Sequence, residues 1–462
     1  MVQAGARIAS GQWPYRDFRM NYPPGQALVL AAIHKAVGPS LMGWRVLRLG
    51  VDASTSVLAY RLTRRNAPEP LALAAWLGVA GALAFPAGAG PNPPAQMFAL
   101  GALLAAPSRP RRAAALAGTA TLFRVEVGAA AAAGVVLAAP APRRASSIAI
   151  AVLVSSALLG PFAVTAPRAM FEDTFGFFGI QRDQRLPLPL RFRGPVRPSK
   201  LIEFYAPAIL LGAAASWLIA IASASPRPSA ETLAPAPLAV VGAVYLLART
   251  DEFHLVTLAA TLPIMLATAA ASERRHGHRL VLLTSLGLLI AHGLDRKAGQ
   301  ALHPPAHAKV PGRAGQGIQT SPEDAAGLAG LLKAVHELTT PGEPIFVANP
   351  RHDLIRVGNP LLYTLLGRPN PTRYDVMQPG IVTTAPVQRE IVGALARTNV
   401  VVRWIHPTAC DPEPNGAGRS SGVDILDRYL ADNFRERSRH GDYAVLVRMT
   451  RADGRDGPQA GQ

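Results

Sequence analysis

Long apolar stretches alternate with short polar loops over the first two thirds of the chain. The apolar runs occupy residues 41–60, 70–88, 94–108, 113–140, 145–165, 203–223, 235–249, 255–272 and 279–294. Most of them approach the ~17–25 residues that an α-helix needs to cross the hydrocarbon core of a bilayer. The pattern predicts a polytopic α-helical membrane protein with about nine to eleven membrane helices before residue 295.

Arginines in the short loops indicate how these helices are oriented. They are Arg61, Arg64, Arg65, Arg109, Arg111, Arg112, Arg143, Arg144, Arg274, Arg275 and Arg279. Because basic residues of short loops stay in the cytoplasm, these loops are predicted to be cytoplasmic. Residues 1–24, 166–202, 249–254 and 295–462 then lie on the outer side. Residues 26–38 are too short to cross and are predicted to form an interfacial helix.

The loop 166–202 opposes this orientation, because it is basic and yet is placed outside. Its basic residues are Arg168, Arg182, Arg185, Arg191, Arg193, Arg197 and Lys200. The inverted topology is therefore an alternative. The same loop carries Phe171, Phe175, Phe177 and Phe178. Aromatic and basic side chains at the membrane surface predict either a contact with a polyprenyl phosphate or an ordinary contact with anionic headgroups.

The run 113–140 is too long for one simple crossing and has arginines at both ends. Both ends are expected in the cytoplasm, which a single crossing cannot satisfy. Two half-length helices, one entering and one returning, satisfy both. Residues 123–126 then form the tip of a hairpin, which must be buried in protein or line a cavity because irregular backbone is not tolerated against lipid.

Composition agrees with a membrane protein and excludes some other classes. Only 16% of the 462 residues are charged, against ~25% in soluble proteins. The net charge of +18 comes from loop arginines without a basic stripe interleaved with aromatics, so no nucleic-acid partner is predicted. Cys410 is the only cysteine, which rules out an internal disulfide. No apolar signal-peptide segment follows Met1.

A more polar region follows residue 295. Residues 296–322 are predicted to be a linker, residues 323–451 a small soluble α/β domain on the extracytoplasmic side, and residues 452–462 a disordered tail. Strands are predicted at 344–348, 399–404 and 443–448, and helices at 387–397 and 424–434. We expect this domain to be a lid or binding module. Some of its side chains would either bind an acceptor glycan or, alternatively, contribute to domain packing. They are Tyr363, Arg368, Arg373 and Tyr374.

Three polar clusters interrupt the apolar part and are predicted to meet on the outer side. They lie at residues 15–18, 123–126 and 249–254. Charged groups are costly near lipid and are rarely placed there without a role. Their convergence predicts an active site. Arg45, Arg48 and Asp52 lie within or beside a crossing helix, and a buried ion pair between helices is expected for them rather than a part in the chemistry.

The segment 11–18, followed by Tyr22, Pro23, Pro24 and Gly25, resembles the first outer loop of GT-C-type membrane glycosyltransferases, such as family 39 mannosyltransferases and bacterial lipid A sugar transferases. The hairpin tip at 123–128, the element at 249–254 and the soluble C-terminal domain agree with that resemblance. It implies a bacterial plasma-membrane enzyme that transfers a sugar from a polyprenyl-phosphate donor to a glycan, lipid or protein acceptor on the outer face. Such enzymes carry a membrane helix before this loop, so we expect one to precede Met1.

The resemblance implies roles for the three clusters, each with a simpler structural alternative. The carboxylates of Asp17, Glu126 and Asp251 are catalytic candidates, since a base must accept the proton of the acceptor hydroxyl. Arg16, Arg124, Arg249 and His254 are donor-phosphate candidates, because guanidinium groups suit a phosphate. The alternatives are structural. Asp17 would form a loop clasp, that is, an ion pair that stabilises its own loop. Arg124 and Glu126 would form an ion pair in the hairpin, and Asp251 would cap a helix. No metal ligand is assigned, although a divalent metal ion is left open.

Two other functions are compatible with the pattern. A transporter or flippase of a lipid-linked glycan would favour polar residues at the bilayer midplane and internal repeats, neither of which is clear here. An inactive membrane scaffold is the other alternative.

Overall fold

A computed structural model of the chain describes residues 1–84, 88–176, 179, 184–194, 196–302, 304–413 and 415–449. The helices before the soluble domain are α1 (Val2–Ala9), α2 (Gly25–Val37), α3 (Leu41–Arg64), α4 (Glu69–Leu83), α5 (Asn92–Ala105), α6 (Pro110–Thr121), α7 (Val125–Ala138), α8 (Arg144–Thr165), α9 (Pro167–Phe171), α10 (Glu172–Gly176, a π-helical turn), α11 (Pro198–Ala222), α12 (Ala230–Leu233), α13 (Ala236–Ala248), α14 (Glu252–Ser272) and α15 (His276–Leu302). The tail predicted at 452–462 lies outside the described residues.

The predicted fold class, a polytopic helical membrane protein, is confirmed. Within the described ranges, five helical segments are long and apolar enough to cross a membrane: Ala141–Thr165, Lys200–Ala222, Ala230–Ala248, Glu252–Ser272 and His276–Asp295. Shorter apolar helices, including α4 and α7, pack with them. The total number of crossings and their orientation stay predictions.

Helix α14 is the centre of the bundle. Its residues from His254 to Ala270 are all buried, and it packs against α4, α11, α13 and α15. Small residues make this packing close, as is usual between membrane helices. A side chain at Gly242 of α13 would lie 2.7 Å from the backbone nitrogen of Leu258, so only glycine fits there. Helix α14 is thereby enclosed by neighbouring helices along most of its length.

The predicted hairpin in the run 113–140 is also confirmed. Helices α6 and α7 pack against each other, and residues 122–124 separate them. A Cβ atom at Gly128 would lie 2.5 Å from the backbone nitrogen of Thr121, so the glycine permits the tight reversal. The backbone N–H of Gly25 donates to the carbonyl of Leu122 at 2.8 Å. The hairpin tip is thus joined to the start of α2.

The C-terminal region forms the predicted small α/β domain. Its helices are α16 (Pro322–Leu338), α17 (Leu361–Leu366), α18 (Ala385–Ala394) and α19 (Ile425–Asn433), and its strands are β1 (Ala308–Lys309), β2 (Gln319–Thr320), β3 (Ile345–Ala348), β4 (Val400–Trp404), β5 (Phe434–His440) and β6 (Tyr443–Arg448). The larger sheet has the order β3-β4-β6-β5, in which only β3 and β4 are parallel. The strands predicted at 344–348, 399–404 and 443–448 are present within one residue.

Three features of this region differ from the prediction. The segment 296–322 is not only a linker: α15 continues to Leu302, and Val310, Ala314 and Ile318 are buried in the domain core. Apolar residues spaced among Pro and Gly were sufficient for packing. Strand β5 was missed because its sequence is mostly charged, which is typical of an exposed edge strand. Helix α16 was not predicted either.

Candidate active site at the start of α14

Arg124 lies at the tip of the hairpin and is the most enclosed charged group of the three predicted clusters. Its side chain is 4% exposed. Its Nε donates to Oε1 of Glu126 at 2.5 Å, and its Nη1 donates to the hydroxyl of Tyr245 at 3.2 Å. The guanidinium carbon lies 5.2 Å from the ring centroid of Tyr22 and 4.5 Å from that of Tyr245. Two aromatic faces and one carboxylate therefore hold the cation in place.

Tyr245 connects this arginine to the polar cluster at the start of α14. Its ring lies 4.2 Å, centroid to centroid, from the ring of His254. Nδ1 of His254 is 2.5 Å from Oδ1 of Asp251. The same carboxylate accepts hydrogen bonds from the backbone N–H groups of Phe253 and His254, both at 3.0 Å. Asp251 is therefore the N-cap of α14 and also orients the imidazole.

Arg249 extends the network to the C-terminal domain. Its Nε donates to Oδ2 of Asp251 at 2.5 Å. Its Nη1 donates to the carbonyl of Gln184 and to Oε2 of Glu413, both at 2.8 Å. A guanidinium shared by two carboxylates has little capacity left for another anion. In this structure Arg249 is a connector between α14, the segment beginning at Gln184 and the C-terminal domain.

The N-terminal cluster reaches the network through Tyr22 rather than through its charged residues. Tyr15 is fully buried and its hydroxyl donates to the carbonyl of Tyr22 at 2.8 Å. Arg16 forms two hydrogen bonds of 2.8 Å with Asp17, and Asp17 also accepts from the backbone N–H of Trp13 at 2.6 Å. The pair with Arg16 lowers the pKa of the Asp17 carboxyl to about 2. This is the geometry of a loop clasp.

Of the three clusters that the sequence predicts to converge, the structure brings two together through a shared neighbour. Residues 123–126 and 249–254 are joined through Tyr245, and Tyr22 joins the loop that carries residues 15–18. In the described part of the chain, the polar contacts of Arg16 and Asp17 are with each other and with Trp13, and neither residue contacts Arg124, Glu126, Arg249 or His254.

The three catalytic candidates differ in how fully their oxygens are used. Both oxygens of Asp17 accept hydrogen bonds, and so do both oxygens of Asp251. Only Oε1 of Glu126 accepts a hydrogen bond from Arg124, and the Glu126 side chain is 32% exposed. Its second oxygen is the one with capacity for a further hydrogen bond. Asp17 is equally exposed, at 31%, so Glu126 is distinguished by this unengaged oxygen and not by its exposure.

A cavity of about 350 Å³ lies against the start of α14. Its walls come from α4, α11, α14 and α15, and they are mainly apolar, with Pro207, Leu210, Leu255 and Leu289 among the lining residues. Thr250 and Glu252, which flank Asp251 in the sequence, also line it. The cavity therefore has apolar walls and one end next to the polar network. Such an arrangement suits a molecule with an apolar body and a polar end.

Several residues of the network were not predicted from the sequence as site residues. Tyr22 and Tyr245 are single tyrosines in a loop and in an apolar run, and Glu413 lies 164 positions from its partner Arg249. Asp173 was also missed, in a loop recognised only for its basic and aromatic residues. It is buried, and it pairs with Arg19 at 2.7 Å. Burial raises the pKa of the Asp173 carboxyl.

Other predicted residues have structural partners. Arg48 and Asp52 form an ion pair at 2.8 Å, but the pair lies within α3 and not between two helices as predicted, because the residues are one helical turn apart. Arg368 donates to the side chain and carbonyl of Thr339, which is the contact expected for domain packing. Tyr363 accepts from the backbone N–H of Val347 at 2.9 Å. In the loop 166–202, Phe171 and Phe175 are exposed neighbours, whereas Phe177, Phe178 and Arg182 lie outside the described residues.

The described residues contain no group of three or more His, Cys, Asp or Glu side chains that could hold a metal ion. The groups around Arg124 and His254 provide two cations or potential cations, two phenol rings and two carboxylates. This set can hold an anionic group, donate hydrogen bonds to it, and accept a proton from a nearby hydroxyl.

Comparisons with known proteins bear on the fold. No family model matches the sequence, and no curated protein matches it. The crystal structure of ArnT from Cupriavidus metallidurans bound to undecaprenyl phosphate aligns with a TM-score of 0.53 at 14% identity, over 99% of this chain and 93% of that one. The cryo-EM structure of the mycobacterial arabinofuranosyltransferase AftD gives a TM-score of 0.48 at 13% identity, over 97% of this chain and 37% of that one. The likeness to ArnT spans nearly the whole chain, and the protein has the fold of a GT-C-type membrane glycosyltransferase.

Proposed function

We propose that the protein is a glycosyltransferase that moves a hexose or pentose from a polyprenyl-phosphate donor to a hydroxyl of a glycan, lipid or protein acceptor. The observation that carries the proposal is the enclosure of Arg124 by Tyr22, Tyr245 and Glu126 beside the start of α14. It is supported by the GT-C fold and by the undecaprenyl phosphate that the ArnT structure contains.

Arg124 would bind the phosphate of the donor. In the reaction the bond between the sugar C1 and the phosphate oxygen breaks, and its electron pair goes to that oxygen. A fixed guanidinium stabilises the charge that grows there. Tyr22 and Tyr245 keep the guanidinium in position before the donor arrives, so little reorganisation is needed during the reaction.

Glu126 would accept the proton of the acceptor hydroxyl as that oxygen bonds to the sugar C1. Its unengaged second oxygen favours it over Asp17, whose oxygens are both held by the loop and whose pKa of about 2 makes it a weak base. His254 is oriented through its Nδ1 by Asp251. Its Nε2 is then the ring nitrogen available to the phosphate or to a sugar hydroxyl.

The cavity between α4, α11, α14 and α15 would hold the first part of the polyprenyl chain. Its apolar walls match the isoprenoid, and Thr250 and Glu252 place one end near Asp251. Because the arginine-rich loops favour a cytoplasmic position, the site and the C-terminal domain would lie on the outer face of a bacterial plasma membrane. Membrane lipids are the remaining partners.

Sugar transfer from radiolabelled polyprenyl-phosphate donors in membranes tests this proposal. Arg124→Ala and Glu126→Gln are expected to lower the transfer rate by about 100-fold or more, the usual range for losing a group that stabilises charge or moves a proton. The matched control pair is Arg439→Ala and Glu436→Gln, which removes an exposed Arg–Glu pair of the C-terminal domain and should leave the rate within about twofold.

Three outcomes would reject the proposal. Equal activity of the Arg124 and control variants would remove the site from the reaction. No transfer by the wild-type protein from any donor, together with movement of a lipid-linked glycan across vesicle membranes, would favour the transporter alternative. Absence of both activities would favour the scaffold.

A further inference from the structure

A second polar pocket lies at the opposite end of α14 from the candidate active site. It has a volume of about 1030 Å³. Most of its lining residues come from 220–229, at the end of α11 and just after it, and from 268–279, which span the end of α14 and the start of α15. We call it the basic pocket. Helix α14 has 21 residues, so at 1.5 Å per residue the two sites are about 30 Å apart. That separation is the thickness of the hydrocarbon core, so the two sites lie at opposite membrane surfaces.

The basic pocket has more positive charge than its own acids balance. Arg227, Arg274, Arg275 and Arg279 line it, with Glu273 as the lining carboxylate. Glu273 is taken by Arg275, whose Nε lies 3.1 Å and whose Nη2 lies 2.9 Å from its two oxygens. This pairing lowers the pKa of Glu273 to about 2. Within the described residues, the other three arginines form no ion pair.

The walls around this charge supply hydroxyl groups and apolar surface. Ser225, Ser229 and Thr232 line the pocket with the arginines, and hydroxyls are good donors to phosphate oxygens. Ala220 and Ile221 form the apolar wall. Leu218 and Ile219, in the same turn of α11, have more than half of their surface exposed. An exposed apolar helix face therefore continues directly from the charged pocket.

We propose that the basic pocket binds the phosphate headgroup of an anionic phospholipid, whose acyl chains lie along α11. Free arginines match the headgroup phosphate, and exposed Leu218 and Ile219 match the acyl chains. Basic pockets between membrane helices are known to bind anionic headgroups. A free phosphate ion would use the arginines but not the apolar face. The proposal does not depend on the reaction proposed for the other end of α14.

Loop arginines also orient membrane helices during insertion, so a control must separate that role from binding. Arg227, Arg274 and Arg279 are changed together to glutamine. The matched control changes Arg109, Arg111 and Arg112, three exposed arginines of another loop, and removes the same charge. A third variant carries lysine at 227, 274 and 279, which keeps the charge and reports on folding.

The measurement is native mass spectrometry of the full-length protein with phosphatidylglycerol, phosphatidylcholine or inorganic phosphate. The wild type and the control are expected to bind phosphatidylglycerol at least about tenfold more tightly than phosphatidylcholine. The glutamine variant should lose that preference, and the lysine variant should keep most of it. Equal lipid preference in the glutamine variant and the control would overturn the proposal. So would full displacement of the lipid by millimolar inorganic phosphate, which would indicate a plain anion site.

Discussion

Arg249 and Glu413 form a two-point ion pair that joins the start of α14 to the C-terminal domain. Nη1 of Arg249 donates to Oε2 of Glu413 at 2.8 Å, and Nη2 contacts Oε1. The side chains are only 18% and 9% exposed. The same guanidinium donates to Asp251, which orients His254. The position of the C-terminal domain is therefore coupled to the candidate active site.

The Glu413→Gln variant should weaken this coupling. Because the pair is largely shielded from water, removing one charge should lower the free energy of unfolding by about 1–3 kcal/mol. Thermal unfolding of the detergent-solubilised protein measures the change. Glu436→Gln is the control, because Glu436 pairs with Arg439 at the exposed edge strand and should cost less than about 1 kcal/mol. Equal losses of unfolding free energy in the two variants would show that the Arg249–Glu413 pair stabilises the protein no more than an exposed ion pair does.

Asp251 both caps α14 and pairs with His254, and substitution by alanine or by asparagine separates these two functions. Alanine removes both the helix cap and the partner of His254, whereas asparagine keeps an oxygen that can accept from the N–H groups of Phe253 and His254. We expect Asp251→Ala to be about 1 kcal/mol less stable than Asp251→Asn. Both variants should lose most of the transfer rate. Thermal unfolding and the transfer assay on the same preparations check this, and full activity in the asparagine variant would exclude a role for the charge.

The lowered pKa of Asp17 predicts how its contribution to the stability of the protein depends on pH. The bonds from Arg16 and Trp13 lower the pKa from the ordinary 3.8 to about 2. A group whose pKa is depressed by folding stabilises the protein above its unfolded pKa, and that contribution is lost as the pH falls through the folded value. The stability difference between wild type and Asp17→Asn should therefore be constant above about pH 5 and shrink between about pH 4 and 2.

Transfer activity provides a second test of Asp17. A carboxyl group that is already ionised throughout the neutral range cannot produce a titration there, so Asp17→Asn should keep the wild-type pH profile above about pH 5. A neutral-range limb of the profile that disappears in this variant would make Asp17 the base after all.

The orientation of the chain can be tested with its single cysteine. Cys410 is partly exposed in the C-terminal domain. It can therefore be labelled directly, and no cysteine has to be introduced. Burial raises the pKa of its thiol, which favours labelling at mildly alkaline pH because the thiolate is the reactive form. In intact cells, a membrane-impermeant maleimide should label the protein if this domain is extracytoplasmic. Labelling only after permeabilisation would support the inverted topology.

The sequence predicted those parts of the fold that depend on local pattern. The hairpin followed from arginines on both sides of the run 113–140, and β4 followed from β-branched residues at 400–402. Charge also marked Arg124 and Asp251 as members of one polar network, because ionisable groups near lipid are costly.

The remaining features depend on contacts between distant residues. Tyr245 appears in the sequence as one aromatic among apolar residues, and only its place between Arg124 and His254 gives it a function. The loop 15–18 offered two conspicuous charges, but its buried residues Tyr15 and Phe18 fix the structure and turn Arg16 and Asp17 towards each other. The presence of charged residues in a sequence does not by itself distinguish an ion pair that stabilises a loop from an active site.

Binding of a polyprenyl phosphate to the purified full-length protein tests the central claim most directly. Arg124 is expected to provide charged hydrogen bonds to the phosphate, so Arg124→Ala should weaken binding by about tenfold or more, with Arg439→Ala as the exposed control. Weaker binding confined to the Arg124 variant is the predicted result. Equal dissociation constants for wild type, Arg124→Ala and Arg439→Ala would contradict the account, because the donor phosphate would then not lie at the hairpin tip.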